Sequence, residues 1–565
     1  MSPEDPWPDA VEIDQLESRE PLTVGGDPCD GLGPERLDRR RDVGRDTLDG
    51  VPEPVEVDRQ SQRSAVDGAP RVDRVHPERG KAVVVDRGAV MPAKRSRETH
   101  TLKAMRAEAT RRGLEGWISP EAVVLGLGAT GDVAWFDAGV AADALSGDPL
   151  PGHPRVSLLG WGDRVLTGDA DDPGSLARAW RELARVGPHR AAEPLGWWGW
   201  LGYGAGGETL DAEGEPWATS MIDPDHPDLA FLDVDRALVF DHDTGRVEAV
   251  FDPEHEEWVQ RVIGWWAAAR ESGEDVPDPE RPPRSPEANW ANDDAGYLSL
   301  IRRCLSAIHD GDAYQLCLTT SASVRLVEDA ASNDLTIYRR LRRESPAPRA
   351  SFLRIGHTAL VGASPETFLV VEADGIVSSS PIKGTRPRGT DRAADVRLGS
   401  ELRESEKEQA ENLMIVDLVR NDLSRVALPG SVEVTELLAV HSYEHVHQLV
   451  STVRARLEAG FTGVDAVRAA FPPGSMTGAP KRSAVGLLAS LEALPRGPYS
   501  GVAGRFGRDG TVDLAVVIRT IVIDLATRTA RVGVGGGITA SSDPAAEVEE
   551  VHLKARALLD AVGSR

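Results

Sequence analysis

Ser351–Val371 reads SFLRIGHTALVGASPETFLVV, and this stretch decides the fold class. Runs rich in β-branched and aromatic residues, Ser351–Ile355, Ala359–Val361 and Thr367–Val371, follow one another across Gly and Pro breaks, which predicts consecutive strands with no helix between them. The same texture appears earlier, at Asp132–Asp137, Arg155–Leu159 and Arg236–Phe240, the last running into a DHDTG hairpin loop, and later between Tyr499 and Val534. Helices are predicted at Ala295–His309, Glu406–Asn421 and Ala545–Val562. Strands and helices mix without a regular strand–helix–strand alternation, so the class is α+β.

Composition bounds what such a chain does. Its 565 residues are 40% hydrophobic and 27% charged, enough for a sizeable core and roughly two to four domains. A formal net charge of −27 argues against nucleic acid as a main partner. An acidic chain that captures an anion needs local positive groups instead. The three cysteines, Cys29, Cys304 and Cys317, form no CxxC pair, which makes a zinc ribbon or disulfide framework improbable. No run of 18 apolar residues suggests a membrane span, and the chain reads as soluble and cytosolic. Residues 1–95, rich in Asp, Arg, Pro and Gly and without apolar periodicity, read as a disordered or mis-assigned N-terminal extension, with Met91 or Met105 as candidate natural starts. Globular texture covers 105–275, a Pro-rich connection 276–289, and a second globular stretch 290–562.

Three signals are set aside. The GLGATG at Gly126–Gly131 fits a dinucleotide-binding pattern, but a strand rather than a helix is predicted after it. His441, His445 and His447 lack the partners of a zinc site. The tryptophans of Gly196–Leu201, GWWGWL, read as core. Stronger signals lie towards the C-terminus. Ser405–Glu408 is a capping box, and Glu408 and Glu411 then share a helix face; Glu547 and Glu550 repeat the spacing after the Asp543-Pro544 helix start. Two carboxylate pairs suit a hard cation such as Mg²⁺, or are solvated surface glutamates. Lys383 in PIKGT contacts an anion, acts as a nucleophile, or is merely solvated. Arg519, inside the apolar VVIRTIVI, needs a partner that an anionic substrate would supply, and Gly535–Gly537 offer backbone amides to an anion.

Seven ordered blocks between about 290 and 560 carry a resemblance: GASPETFL, SPIKGTRPRG, AENLMIVDLVRNDLSRV, VHQLVSTV, AAFPPGSMTGAPK, IRTIVI and VGVGGGITASSDPAAEVEEVHLKA. They resemble the chorismate-binding region shared by anthranilate, aminodeoxychorismate and isochorismate synthases, and 115–250 is similar to that family's more variable half. The resemblance implies an anthranilate synthase component I-like fold, packed antiparallel β-sheets flanked by helices. It also implies that Glu366 protonates the leaving C4 hydroxyl of chorismate, with its pKa raised by burial, and that Lys383 is a covalent nucleophile at C2. Mg²⁺ would be held by Glu411 and Glu550, with Glu408 and Glu547 reaching it through water. Gly384 and Thr385 would help hold the ring carboxylate, and Arg519 with Gly535, Gly536 and Gly537 the enolpyruvyl carboxylate. Arg505 stands where relatives carry a tyrosine and is a further candidate for substrate binding.

Within this family Gln315 replaces a water-activating lysine, PIKGT replaces the PIAGT of anthranilate synthases, and Gln448 replaces their histidine. The implied activity is amination of chorismate to 4-amino-4-deoxychorismate; the alternative is anthranilate synthase component I, yielding anthranilate and pyruvate. Nothing in the chain resembles a glutamine amidotransferase, so ammonia from glutamine implies a separate glutaminase subunit. Some relatives bind tryptophan in the N-terminal half, though no LLES-type signature is evident. The extension is expected to be dispensable: deleting residues 1–90 should leave activity and melting temperature unchanged, and a large loss of either refutes that.

Overall fold

A computed structural model describes residues 108–127, 131–138, 155–169, 172–185, 194–210, 223–273, 276–282, 287–328, 333–443 and 445–564, and the expectations for residues 1–95 lie outside them. Residues 101–565 form one compact unit. Among the described residues two large antiparallel sheets make its body.

The first sheet has 12 strands, running in order Thr110–Leu114, Arg246–Phe251, Arg236–Asp241, Val156–Trp161, Val133–Asp137, Arg349–Ile355, Thr358–Ser364, Thr520–Asp524, Thr529–Thr539, Gln315–Arg325 and Gly478–Ala479, with Asn289–Trp290 also beside Gln315–Arg325. The second has 10, in order Ile382–Pro387, Val446–Arg456, Ile376–Ser380, Thr367–Val371, Val512–Val516, Val502–Gly507, Gly196–Leu201, Leu229–Val234 and Val165–Gly168, with Glu433–Ser442 also paired to Val446–Arg456. Both sheets draw strands from either side of the Pro-rich connection, so that stretch divides the sequence but not the fold. Its described part is pinned: Arg339 and Arg340 of the Asp334–Glu344 helix donate to the Pro277 and Glu280 carbonyls.

The core has three tiers. Trp198, Trp200, Leu232, Leu353, Leu360 and Val522 pack between the sheets. The far side of the first sheet packs on Tyr297, Ile301, Ile337, Val551 and Leu558 from three helices. The far side of the second packs on Leu176, Trp180, Ile415, Val419 and Val467. The GWWGWL strand is buried on both faces, as a central strand of a covered sheet must be.

Helix limits follow local chemistry. Asp293 caps Asp294–His309 by accepting from the Gly296 amide at 2.7 Å, and Asp543 accepts from two amides at the start of Pro544–Ala561. Ser405 opens Glu406–Ser424, accepting from the Glu408 amide at 3.5 Å. That helix buries Glu411, Asn412, Ile415, Val416, Val419, Asp422 and Leu423, whereas Leu413 is 44% exposed. A 3.6-residue period selects one stripe, and Leu413 faces away from it.

One buried ion pair joins several of these parts. Arg496 meets Glu492 at 2.7 and 2.8 Å, donates to the Met476 and Cys317 carbonyls at 2.6 and 2.9 Å, and lies 4.3 Å from the Tyr203 ring centroid. Glu492 also accepts from the Thr319 amide at 2.9 Å. Breaking a buried, hydrogen-bonded pair from one side costs about 3–5 kcal/mol.

Candidate active site

Lys383 stands at a bulge. Its strand, Ile382–Pro387, pairs Ile382 with Val450 and Thr385 with Gln448, so one strand takes three steps where the other takes two. The extra residue falls at Lys383-Gly384, and Gly384 meets the turn with φ +84°. A bulge releases a side chain from strict alternation. The Lys383 Nζ lies 3.5 Å from the Ser475 carbonyl, in the Gly474–Met476 turn whose last carbonyl Arg496 holds.

Glu366 and Arg519 occupy two adjacent crossings between the sheets. The chain leaves the first sheet at Ser364 and enters the second at Thr367; it leaves the second at Val516 and enters the first at Thr520. The two crossings are tied together: the Val516 amide donates to the Glu366 carbonyl at 3.0 Å, the Ala363 amide to the Arg519 carbonyl at 2.9 Å, and Ser364 Oγ to the Val516 carbonyl at 2.7 Å. Glu366 is 6% exposed, and burial pushes its carboxyl up to about 7, against the opposing pull of Lys383 and Ser475. Arg519 adopts φ +50°, rare for a side chain of its size. Burial lowers its pKa, with Tyr499 and Glu550 pulling the other way, and its guanidinium makes no hydrogen bond or ion pair among the described residues.

The two carboxylate pairs lie close to each other. Lys407 Nζ lies 3.4 Å from Glu547 and 3.9 Å from Glu411, joining the two helices, and its pKa rises because Glu547, Glu411, Glu550 and Glu408 together outweigh its burial. Burial raises the Glu411 carboxyl, and Glu408 and Glu547 add to the rise while Lys383 and Lys407 oppose it. Glu550 shifts downward: burial is outweighed by Lys554, Lys407 and Lys383. Among the described residues no three acidic, histidine or cysteine side chains are drawn into a ligand shell. An all-oxygen set from two helices, two of its carboxylates already sharing the Lys407 ammonium, nonetheless has the donor chemistry that suits Mg²⁺.

The glycines close the site. A Cβ on Gly384 would come within 2.9 Å of Glu408 Oε2, one on Gly536 within 2.9 Å of Glu547 Oε2, and one on Gly537 within 2.5 Å of Gln315 Nε2. The Lys383 loop, the Gly535–Gly537 strand and both glutamate pairs are thus one locality. Pairing of Thr529–Thr539 with Thr520–Asp524 ends at Val532, so the triple-glycine stretch has one edge without a strand partner among the described residues. Gln315, 1% exposed, has neither carboxamide atom hydrogen-bonded, and Gln448 Oε1 is likewise buried and unpartnered. Buried polar atoms left open cost free energy unless something satisfies them, which marks this locality as built to receive polar groups.

Thr385 lies in the same loop with its side chain exposed. One expectation changes. Arg505 is not brought to the cluster: it lines a separate cavity between the sheets with Phe136, Arg349 and Asp513, its charge helping to lower the Asp513 pKa against burial. Alternation along Val502–Gly507 puts Arg505 on the face of Ala503, toward the first sheet, and opposite Val502 and Phe506. The histidines do not gather: His441 pairs with Glu436, and His447 bonds Asp395 at 2.9 Å and Ser442 at 2.8 Å. Sequence reasoning passed over Ser475, although it stands inside a quoted block, and Lys407, although it lies within the Ser405–Glu408 helix start.

The Glu366 shift has a measurable consequence. Its folded carboxyl keeps its proton to a higher pH than the unfolded one, so stability falls as pH rises from about 4.5 to about 7. Glu366→Gln cannot ionise and escapes that loss. Its melting temperature should exceed the parent's at pH 8, by a margin worth up to about 3 kcal/mol, and the margin should vanish near pH 4.5. A margin independent of pH would contradict the raised pKa.

Comparison with known proteins identifies the relatives of this chain. A family model described as chorismate binding enzyme matches residues 153–560. An aminodeoxychorismate synthase from Streptomyces griseus is 45% identical over 375 residues, covering 65% of this chain and 50% of that protein; this chain therefore spans about half the length of that relative. Anthranilate synthase component 1 of Streptomyces coelicolor is 39% identical, over 73% of this chain and 81% of its own. The crystal structure of anthranilate synthase component I from Streptococcus pneumoniae superposes with a TM-score of 0.60 at 26% identity, covering 73% of this chain and 93% of that one. With the family model matched over well more than half its length, this chain belongs to the family of chorismate binding enzymes.

Proposed function

We propose that this chain aminates chorismate to 4-amino-4-deoxychorismate through a covalent bond to Lys383. The observation that carries this reading is the pairing of an amine on a bulged loop with a buried carboxyl whose pKa is about 7, beside unpartnered Arg519 and the glutamate cluster. A carboxyl with that pKa holds a proton near neutral pH and can donate it.

The chemistry balances as two displacements. The Lys383 amine forms an N–C2 bond through its lone pair, the ring double bonds shift, and the C4–O bond breaks as Glu366 passes its proton to the hydroxyl, which leaves as water. Ammonia then forms a bond to C4, the double bonds shift back, and the C2–N bond breaks, returning the electron pair to Lys383; the proton shed by the new ammonium goes back to Glu366. The new nitrogen ends where the hydroxyl stood. Arg519 and the open edge of Gly535–Gly537 would hold the enolpyruvyl carboxylate, and Gly384 and Thr385 the ring carboxylate. Glu411 and Glu550, with Glu408 and Glu547 behind them, would hold Mg²⁺, which supplies charge neutralisation for the ring carboxylate. Ammonia would come from a separate glutaminase.

Two features favour amination over formation of anthranilate: a lysine in PIKGT, and glutamine at 448, where the Oε1 stands unpartnered next to Thr385. Purified protein given chorismate, Mg²⁺ and ammonium should yield aminodeoxychorismate by mass spectrometry, with no pyruvate until a separate lyase is added. Glu366→Gln should lose about 10²–10⁴ in kcat. Anthranilate with equal pyruvate would overturn the reading and make the chain a lyase.

A further inference from the structure

Each carboxylate of the quartet already has a cation from the chain. Arg386 Nη1 lies 3.4 Å from Glu408, Lys554 Nζ 2.6 Å from Glu550, and Lys407 Nζ 3.4 Å from Glu547 and 3.9 Å from Glu411. The three cations are held very differently. Arg386 also bonds Glu401 and the Thr385 carbonyl, both at 3.0 Å. Lys554 also donates to the Gly535 carbonyl at 2.8 Å. Lys407 has no partner among the described residues beyond Glu411 and Glu547, and its side chain is 41% exposed. It sits in the first turn of the Glu406–Ser424 helix, on a flexible stem that reaches solvent without moving the backbone.

We propose that Lys407 is a resident counter-ion of the metal site, which a divalent cation displaces. This rests on the reading of Glu411, Glu550, Glu408 and Glu547 as the Mg²⁺ site. The ammonium bridges the two helices and offsets the repulsion among four close carboxylates. Of the two ammoniums, Lys407 is the one that stands between the two helices with no backbone anchor, so a doubly charged ion bridging them takes its place and Lys407 swings into solvent, while Arg386 and Lys554, each tied to a backbone carbonyl, stay. Metal binding then exchanges one ion pair for another, and its affinity is weakened by the pair it must break.

The test is calorimetric titration of Mg²⁺ into the full chain without substrate, at constant ionic strength. Lys407→Gln should bind Mg²⁺ about tenfold or more tightly than the parent, because there is no ammonium to displace. It should also melt lower than the parent in chelator and gain more on adding Mg²⁺. Lys407→Arg, keeping the charge, should behave like the parent and guards against a folding artefact. Equal or weaker Mg²⁺ binding by folded Lys407→Gln overturns the displacement while leaving the metal site intact. A parent whose Mg²⁺ binding is unaffected by Glu411→Gln overturns both.

Discussion

The guanidinium of Arg496 is where the two halves of the sequence and the two sides of the site are joined. A buried arginine must spend its donors on acceptors, and this one reaches Glu492, the Cys317 and Met476 carbonyls and the Tyr203 ring. The Cys317 contact fixes the strand that carries Gln315. The Met476 contact fixes the turn whose Ser475 carbonyl faces Lys383. Tyr203 belongs to the segment that follows the GWWGWL strand. Without this brace, the turn and the strand would lose the reference that sets the distance between Lys383 and the glycine edge.

Around that brace the site occupies the irregular places of a regular sheet pair. Lys383 uses a bulge, Glu366 and Arg519 use crossings, and Gly535–Gly537 use an edge that outruns its neighbour. Regular strand interiors have their backbone groups paired and their side chains committed to a core, so function collects where the pairing stops. The acidity of the chain is dealt with locally in the same way. Four glutamates, which would be untenable together, are each answered by a lysine or arginine, and the unpaired positive charge of Arg519 remains for an anion.

Much of this was legible in the sequence. The runs at Ser351–Val371 became strands with ends within three residues, and Ser405 and Asp543 started their helices because a capping oxygen is a local matter. Glu408 with Glu411, and Glu547 with Glu550, are also local, since helix geometry alone puts such pairs on one face. What was not legible depends on register and on distant partners. The bulge at Lys383 exists only relative to Val446–Arg456, and Lys407 acquires its meaning from a helix at the other end of the chain. Arg505 shows the limit of carrying a role by alignment: its strand's alternation turns it toward Arg349 and Asp513.

The central claim is that Lys383 bonds to the substrate, and the most direct measurement is peptide mass spectrometry after incubation with chorismate and Mg²⁺ in the absence of ammonia. The account predicts that the peptide containing Lys383 gains the mass of chorismate less one water, that ammonium removes this mass, and that Lys383→Ala never acquires it. An unmodified peptide, together with undiminished amination by Lys383→Ala, would contradict it.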